Sequence, residues 1–464
     1  MAKFRVPHTL VLMLGLMVLA WGLTWVIPAG QFERNQNAAG QTVVMPDTYA
    51  SIAAPDRVGV TDFFMVIPRA LADAQAVIFF VLLIGGVMGL LRHSGVLDAV
   101  IGRLLEVLGG RTAWLIAGGM LTFGIFSAFI GVAEEYLIFV AMLVALCKAL
   151  KLDAITAMGI LIVGYGIGYG LSLFNPFTLL IAQSVAELPP ASGLGYRLLL
   201  WLPLFAIGFH HVYRYAQRVS ADPQASLLWD INASSTAGGD ASSTEASAYP
   251  ALTSRHKLVL ALFVLVLGLL VWGIQTHGWY LTELSGLFLG FGLVTIVIAQ
   301  IPSETAANKF IEGAAELTGT ALLIGFARSI ALILEDGQVL DTLIYYLSMP
   351  VEAVGAHAGA VLMLFIQALL NFFIPSGSGQ AFVTMPIMVP IADSAGIGRQ
   401  VAVLAFQMGD GLMNMIVPTN PVLMGILGLA GIPYERWFKF IAPLMLKLLL
   451  ACAVAMAVAV MIGY

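Results

Sequence analysis

The chain has 464 residues, of which 60% are hydrophobic and only 10% are charged, and its formal net charge is −5. Because a soluble domain carries about 25% charged residues, this composition excludes an ordinary soluble protein. The small net charge gives no indication of a nucleic-acid partner. The sequence therefore predicts an all-α polytopic membrane protein whose surroundings are the lipid bilayer.

Apolar segments long enough to cross a bilayer recur along the chain. In chain order, the predicted spans lie near residues 8–27, 76–92, 154–188, 196–214, 257–275, 280–299, 319–335, 399–431 and 437–462. Lys3 and Arg5 precede the first span and predict a cytoplasmic N-terminus. The amphipathic stretches 62–71 and 305–317 are expected to lie along opposite membrane surfaces. The Ser- and Ala-rich residues 219–254 are predicted to form a cytoplasmic linker.

Two remaining apolar regions each predict a re-entrant hairpin. Region 113–150 is flanked by Arg111 and Lys148, which are charges of the cytoplasmic type, yet Gly131 and the pair Glu134-Glu135 lie at its centre. A hairpin that enters from the cytoplasm and turns near residues 131–134 satisfies both facts. Region 357–395 has acidic flanks of the outside type and a predicted turn at residues 375–379. The two hairpins are therefore expected to enter the membrane from opposite sides.

Two Asn-Pro pairs interrupt long apolar segments, at Asn175-Pro176 and at Asn420-Pro421. Asn is a favoured helix N-cap and Pro a favoured first helical residue, so each pair predicts that one helix ends and another begins. Inside a bilayer, a broken helix is tolerated only where it is buried in protein or lines a cavity. Matching interruptions in two halves of a chain point to the binding site of a secondary transporter.

The halves overlay without a gap from Glu135 to Pro176. In this overlay Glu135 falls on Gln380, and the first Asn-Pro pair falls on the second. Because the two predicted hairpins enter from opposite faces, the repeat is expected to be inverted, as in many transporters.

The two breaks are the first candidate site. The half-helices that begin at Pro176 and Pro421 direct partial positive charge inward, which suits a substrate carboxylate. The preceding half-helices offer carbonyl oxygens for a coupling ion. A Na⁺ site near Asn175 and Asn420 is expected, with the following side chains as oxygen donors: Asn175, Thr178, Thr419 and Asn420.

The two hairpin tips are the second candidate site. Glu134 and Glu135 are carboxylates near the bilayer centre, where one of them is expected to meet a substrate ammonium or to carry a proton. The alternative is that they only complement the dipole of the helix that follows. The opposite tip is neutral and suits close backbone approach and hydrogen bonding through Ser376, Gly377, Ser378, Gly379 and Gln380.

Two further charged residues lie within spans. Arg328 is expected to pair with an acid across the boundary between a scaffold and a transport domain or to bind a second substrate carboxylate, and it is also a candidate for ion coupling. Asp410, flanked by two glycines, is a weaker candidate for ion coupling because it lies about ten residues, or roughly 15 Å along a helix, before the second break.

An intramembrane hydrolase and a channel are the two alternatives to a transporter. An intramembrane hydrolase would use Ser376 or Ser378 as nucleophile, but the nearest histidine, His357, is over roughly 25 Å away along a helix. A channel also uses hairpins and unwound helices, and counterflow would distinguish it from a carrier. The sequence predicts a protein that is not an enzyme and needs no cofactor besides a coupling ion.

Several strings resemble the anaerobic C4-dicarboxylate carriers, in their YfcC-like branch, within the wider ion transporter superfamily. They are VPHTLVLMLGLMVLAW, GVAEEYLIF, NPFTLLIAQ, FARSIALILEDGQVLDT, NFFIPSGSGQAFVTMPIM and AFQMGDG. The resemblance covers nearly the whole chain. One departure is Pro418-Thr419-Asn420-Pro421, where Pro-Thr-Ser-Gly is usual in the family.

The resemblance implies an elevator-type homodimer in the bacterial inner membrane. Residues 1–93 and 255–340 would form its scaffold, and residues 112–218 and 356–464 its moving transport domain. It also implies transport of small carboxylate-bearing solutes coupled to Na⁺ or H⁺, by symport or exchange. The Glu pair favours amino acids or similar zwitterions as substrates, with C4-dicarboxylates as the alternative.

Overall fold

The computed structural model describes residues 9–36, 42–45, 48–53, 57–108, 111–131, 133–175, 177–231, 250–277, 279 and 281–464. Within these residues, six helical stretches are long and apolar enough to cross a membrane. They are Gln75–His93, Thr112–Phe129, Leu281–Ala299, Ser303–Asp336, Ala356–Phe373 and Tyr434–Met461. The chain is thus a helical, multi-pass membrane protein.

The helices of the first half follow the predicted order. They are α1 (Thr9–Val26), α2 (Val60–Asp73), α3 (Gln75–His93), α4 (Val96–Leu108), α5 (Thr112–Ile130), α6 (Leu137–Ala149), α7 (Ala154–Met158), α8 (Gly164–Gly170), α9 (Leu179–Val185) and α10 (Leu194–Ala221). A π-helical turn, Gly159–Val163, joins α7 to α8.

The second half begins with two helices of its own and then repeats this order. Its helices are α11 (Ser254–His277), α12 (Leu281–Ala299), α13 (Ser303–Glu316), α14 (Thr318–Asp336), α15 (Leu340–Ser348), α16 (Pro350–Ala353), α17 (Ala356–Phe373), α18 (Gly377–Ser394), α19 (Arg399–Met413), α20 (Pro421–Leu429) and α21 (Tyr434–Met461). Two pairs of corresponding helices have equal lengths: α2 and α13 have 14 residues each, and α10 and α21 have 28 each.

The amphipathic helix of each half packs on a long apolar helix of the other half. Helix α13 packs on α3 so closely that a Cβ on Gly85 would lie 2.6 Å from the carbonyl oxygen of Gly313. Reciprocally, α2 packs on α14, where a Cβ on Gly325 would lie 2.7 Å from Leu71 Cγ. Contacts that swap in this way are those of a two-fold axis. The two halves of the chain therefore pack on each other about a pseudo-two-fold axis.

Four short strands between α1 and α2 depart from the all-α prediction. Gly30–Gln31 pairs antiparallel with Ala50–Ser51, and Arg34–Gln36 pairs antiparallel with Thr42–Val44. Strands of two or three residues are too short to show an alternating apolar pattern, which is why the sequence analysis missed them.

Both predicted helix breaks are present, but only the second has the predicted cap. Asn420 precedes α20, and its Oδ1 accepts hydrogen bonds from the backbone N–H of Val422 at 2.8 Å and Leu423 at 3.1 Å. The first break is longer than predicted, since α8 ends at Gly170 and α9 begins only at Leu179. Asn175 does not cap α9; instead its Oδ1 accepts a hydrogen bond from Phe177 N at 2.8 Å. Pro176 lies outside the described residues.

Each of the two regions predicted as hairpins consists of two consecutive helices, α5 and α6 in the first region and α17 and α18 in the second. In the first pair, Gly131 ends α5 with a left-handed backbone (φ 83°), and a 3₁₀ turn, Glu134–Tyr136, leads into α6. In the second pair the turn is shorter than predicted, because α18 begins at Gly377, directly after its N-cap Ser376. Gly377 to Gly379 therefore belong to the first helical turn and not to the connecting loop.

Candidate functional site

A cavity of about 680 Å³ lies where the two helix-pair tips, the second break and the helices α2 and α14 meet. Residues from every one of these elements line it, together with Tyr165 and Tyr169 of α8 and Phe177 of the first break. The four features that the sequence singled out separately, two tips and two breaks, are thus assembled around one space.

The tip of the first helix pair contributes Glu135 to the cavity wall. The side chain is 7% exposed, and its Oε2 accepts a hydrogen bond from Ala133 N at 3.0 Å. Asn175 packs directly behind this tip, since a Cβ on Gly131 would lie 2.5 Å from Asn175 Oδ1. Glu135 is consequently held at the cavity by its own turn and by the first break. The side chain of Glu134 lies outside what the structure describes.

The tip of the second helix pair lines the cavity with Ser376, Gly377, Ser378 and Gly379. Ser376 caps α18, with its Oγ accepting a hydrogen bond from Gly379 N at 3.3 Å. This tip therefore presents a helix N-terminus, with its partial positive charge, to the cavity.

The second break places another helix N-terminus at the cavity. Thr419, Asn420 and Pro421 line it, and Thr419 Oγ1 donates a hydrogen bond to the carbonyl oxygen of Phe372 at 2.7 Å. The Asn420 amide donates to Asn414 Oδ1 at 2.7 Å while its oxygen caps α20. Both hydrogen-bonding groups of Asn420 are thus engaged in shaping the break.

The opposite wall carries the ion pairs of Arg328. Its Nε lies 2.5 Å from Asp73 Oδ2 and its Nη1 lies 3.2 Å from Glu335 Oε1, and all three side chains line the cavity. Arg328 does pair with acids, but both acids belong to the predicted scaffold segments, so the pair does not cross to the transport segments. The sequence analysis overlooked Asp73 and Glu335, because each stands in the last turn of its helix, where a charged residue was taken only as the flank of that helix.

A buried polar layer lies behind the second tip. Asp410 is fully buried, and its Oδ1 accepts a hydrogen bond from Asn371 Nδ2 at 2.7 Å. Thr178 Oγ1 accepts a hydrogen bond from Gln407 Nε2 at 3.0 Å. A Cβ on Gly377 would lie 3.2 Å from Asp410 Oδ2. Asp410 is therefore close in space to the second tip, although it lies ten residues before the second break in the sequence.

Gln380 belongs to the same layer and does not line the cavity. Its Nε2 donates hydrogen bonds to the backbone oxygen of Gln367 at 2.9 Å and to Gln367 Oε1 at 2.8 Å. The sequence analysis missed Gln367, Asn371 and Gln407. Amide side chains in the middle of apolar spans were the available signal, since polar groups within a membrane are costly.

The predicted site residues thus fall into three sets. The cavity is lined by Glu135, Ser376, Gly377, Ser378, Gly379, Thr419, Asn420 and Arg328. Directly behind it lie Asn175, Thr178, Gln380 and Asp410, all of them buried. Pro176 and the Glu134 side chain lie outside the described part of the chain.

Comparisons with known proteins match nearly the whole chain to a family of carriers. The family model described as C4-dicarboxylate anaerobic carrier, DcuC, matches residues 6–461. An Escherichia coli (strain K12) protein named "Putative basic amino acid antiporter YfcC" is 30% identical over 499 residues, covering 100% of this chain and 98% of that protein. A Haemophilus influenzae (strain Rd) protein is 26% identical over 498 residues, covering 98% of this chain and 97% of that protein.

Two solved structures have a weaker likeness. The YdaH transporter of Alcanivorax borkumensis is 17% identical with a TM-score of 0.45, and the comparison covers 99% of both chains. MtrF of Neisseria gonorrhoeae is 17% identical with a TM-score of 0.44, covering 99% of this chain and 96% of that one.

Proposed function

The chain belongs to the C4-dicarboxylate anaerobic carrier family of membrane transporters, and we propose that it is a secondary transporter that exchanges basic amino acids. Transport is coupled to a cation, Na⁺ or H⁺. The substrate binds in the cavity between the two helix-pair tips.

The charge of the cavity wall carries this proposal. Among the described lining residues, three side chains are carboxylates, Asp73, Glu135 and Glu335, and one is a guanidinium, Arg328. The interaction energy of two unit charges 4 Å apart is roughly 1 kcal/mol in water and several times larger near a protein surface. A C4-dicarboxylate would add two negative charges to this wall, whereas a basic amino acid adds a net positive one. The cavity favours the cation.

The arrangement of these groups matches the parts of an amino acid. The N-termini of α18 and α20 suit the α-carboxylate, because free N–H groups and the helix dipole both attract an anion. Glu135 suits the α-ammonium, and the acids around Arg328 suit the cationic side chain. The name of the Escherichia coli relative supports a basic amino acid and exchange. The description of the family supports C4-dicarboxylates, which remain the second candidate.

An elevator-type homodimer in the inner membrane, with its N-terminus in the cytoplasm, is part of this proposal. Residues 1–93 and 255–340 serve as scaffold, and residues 112–218 and 356–464 as the moving domain. The position of the cavity supports this division, because Asp73 and Arg328 line it from scaffold segments while Glu135 and Ser376 line it from transport segments. Re-entrant hairpins, entering from opposite sides, would let the moving domain carry the substrate between them.

Counterflow in proteoliposomes tests the function. Vesicles loaded with unlabelled arginine, lysine, malate or succinate are assayed for uptake of the matching labelled solute. We expect counterflow of a basic amino acid and not of a dicarboxylate. In Glu135→Gln we expect this counterflow to fall by roughly 10- to 100-fold, because a hydrogen bond to a charged group contributes about 1.5–3 kcal/mol.

Glu316→Gln is the matched control. Glu316 is exposed at the end of α13, where it pairs with Arg92 at 2.6 Å and does not line the cavity. This variant should retain the counterflow of the wild type. Exchange of malate or succinate alone would replace the proposed substrate by the second candidate. Flux that never saturates and shows no counterflow would identify a channel.

A further inference from the structure

Three buried oxygen atoms behind the second tip have no hydrogen-bond partner. They are Asn371 Oδ1, Gln407 Oε1 and Asp410 Oδ2, and each of the three residues is 0% exposed. In the described part of the chain, the other buried side-chain atoms without a partner are nitrogens, on Asn175, Arg197 and Trp201. Every unpartnered buried side-chain oxygen of the described chain is thus in this one layer.

The three side chains are held next to one another. Asn371 Nδ2 donates to Asp410 Oδ1 at 2.7 Å, which brings these two residues into contact. Gln407 precedes Asp410 by one helical turn on α19, and residues at that spacing lie about 5–6 Å apart on one face. Gln407 Nε2 in turn donates to Thr178 Oγ1 at 3.0 Å. Thr178 and Asp410 both lie within contact distance of the position that a Cβ on Gly377 would occupy.

The fold itself does not require amides or a carboxylate here, as the other half of the chain demonstrates. In the gapless overlay, Gln407 falls on Ile162 and Asp410 falls on Tyr165. The helices in front of them also correspond. A Cβ on Gly164 would lie 2.6 Å from the backbone oxygen of Met120, and one on Gly409 would lie 2.6 Å from Gln367 Cβ.

One turn beyond these contacts stand Gly124 in the first half and Asn371 in the second. The same helix packing is therefore built from Ile162, Tyr165 and Gly124 in one half, and from two amides and a carboxylate in the other. Each buried polar atom left without a partner costs stability, and a buried carboxylate costs more. A set of polar residues that the packing does not need points to a ligand.

We propose that this layer is a Na⁺ site formed by Asp410 Oδ2, Asn371 Oδ1 and Gln407 Oε1, with Thr178 Oγ1 beside them. Hard cations prefer carboxylate, carbonyl and hydroxyl oxygens, which are the groups present. A bound Na⁺ neutralises the buried carboxylate and provides the partner that both amide oxygens lack. A proton on Asp410 would neutralise the carboxylate, but its single O–H donor could serve only one of the two amide oxygens. The cluster is distinct from the Na⁺ positions expected near Asn175 and Asn420.

The position of the site explains how an ion would act on transport, and this step rests on the proposed function. Thr178 belongs to the first break, Asp410 and Gln407 to α19, and Asn371 to the helix that leads into the second tip. An ion held by all of them stabilises the arrangement in which the second tip closes against the first break. A ligand shifts a conformational equilibrium by its difference in affinity for the two states. Na⁺ would thereby favour the state in which the cavity is complete.

Binding to the purified full-length protein in detergent tests the site without any substrate. Thermal unfolding and radioactive Na⁺ binding are measured in NaCl, KCl and choline chloride at one ionic strength. A ligand at 100 times its Kd lowers the population of the unfolded protein by about 100-fold, so NaCl should raise Tm and the other two salts should not. In Asp410→Asn we expect the apparent Na⁺ affinity to fall by at least about 10- to 100-fold.

Asp153→Asn is the matched control. Asp153 is also a buried carboxylate, but both of its oxygens already accept hydrogen bonds, from Thr156, Tyr215 and Ser226. This variant should unfold at a lower temperature and still respond to NaCl. Gln407→Met is the second variant. It removes one unpartnered oxygen at nearly constant side-chain size, so it should fold and bind Na⁺ more weakly.

Three results would overturn the site. The first is a Na⁺ response that persists at full size in both Asp410→Asn and Gln407→Met. The second is stabilisation that KCl reproduces. The third is stabilisation of the wild type by acidification while NaCl has no effect, because a proton would then take the place of Na⁺. Since these readouts contain no amino acid, they separate failure of the ion site from failure of the proposed transport.

Discussion

Replacing Gly377 by Ala would test how tightly the second tip closes against the first break. The added methyl carbon would lie 2.8 Å from Tyr169 Oη, 3.2 Å from Asp410 Oδ2 and closer still to the methyl carbon of Thr178. Non-bonded carbon atoms are comfortable at about 3.5–4.0 Å, so the tip must move away by about 1 Å or more.

This displacement sets the expected size of the effect. Overpacking a well-packed region costs about 1–3 kcal/mol, which should lower Tm by a few degrees. A misplacement of about 1 Å in a functional site costs on the order of 100-fold in rate. We therefore expect Gly377→Ala to fold with slightly reduced stability and to lose most of its counterflow activity. Thermal unfolding in detergent and counterflow in vesicles measure the two effects separately.

Gly118→Ala on α5 is the matched control, because no atom lies within 4 Å of the position of its added Cβ. Removing a helical glycine there should leave activity intact and, at most, raise stability by about 0.5–1 kcal/mol. Wild-type Tm and wild-type counterflow in Gly377→Ala would refute the close packing of the second tip on Thr178 and Asp410.

Three further predictions concern the remaining walls of the cavity. Gly131→Ala should lower Tm by more than a glycine-to-alanine substitution within a helix, because Gly131 has φ 83° and an added Cβ would lie 2.5 Å from Asn175 Oδ1. An unchanged Tm would contradict this. Arg328→Met should change the unfolding free energy by less than about 1 kcal/mol, because its ion pairs are partly exposed, but should lower the KM for basic amino acids. Ile324 Cδ1 lies 3.8 Å from the position of a Cβ on Gly425, so cysteines at these two positions can be cross-linked by mercury. If the scaffold and transport segments move apart during transport, cross-linking of the Ile324→Cys, Gly425→Cys double variant should stop exchange, and removal of the mercury should restore it. Exchange that continues in the cross-linked protein would contradict movement between these two segments.

The sequence by itself determined the features that depend on composition or on neighbouring residues. The low charge content indicated a membrane protein, and Asn420-Pro421 located a helix start correctly because a cap acts within one turn. The internal repeat was also visible in the sequence, because helix breaks and glycines recur at the same relative positions in the two halves. The first break shows the limit of local rules, because the same dipeptide at Asn175 did not cap a helix; its oxygen is engaged by Phe177 N instead.

Only the tertiary structure decided which polar residues meet. Gln407 and Thr178 are 229 residues apart in the chain, and Arg328 and Asp73 are 255 apart, yet each pair is hydrogen-bonded. No local pattern encodes such contacts, because they depend on how helices from the two halves pack through their glycines. Asp410 illustrates the point: ten residues of chain separate it from Asn420, but the close approach of Gly377 brings the second tip to it. The buried oxygen layer exists only because that packing excludes every other partner.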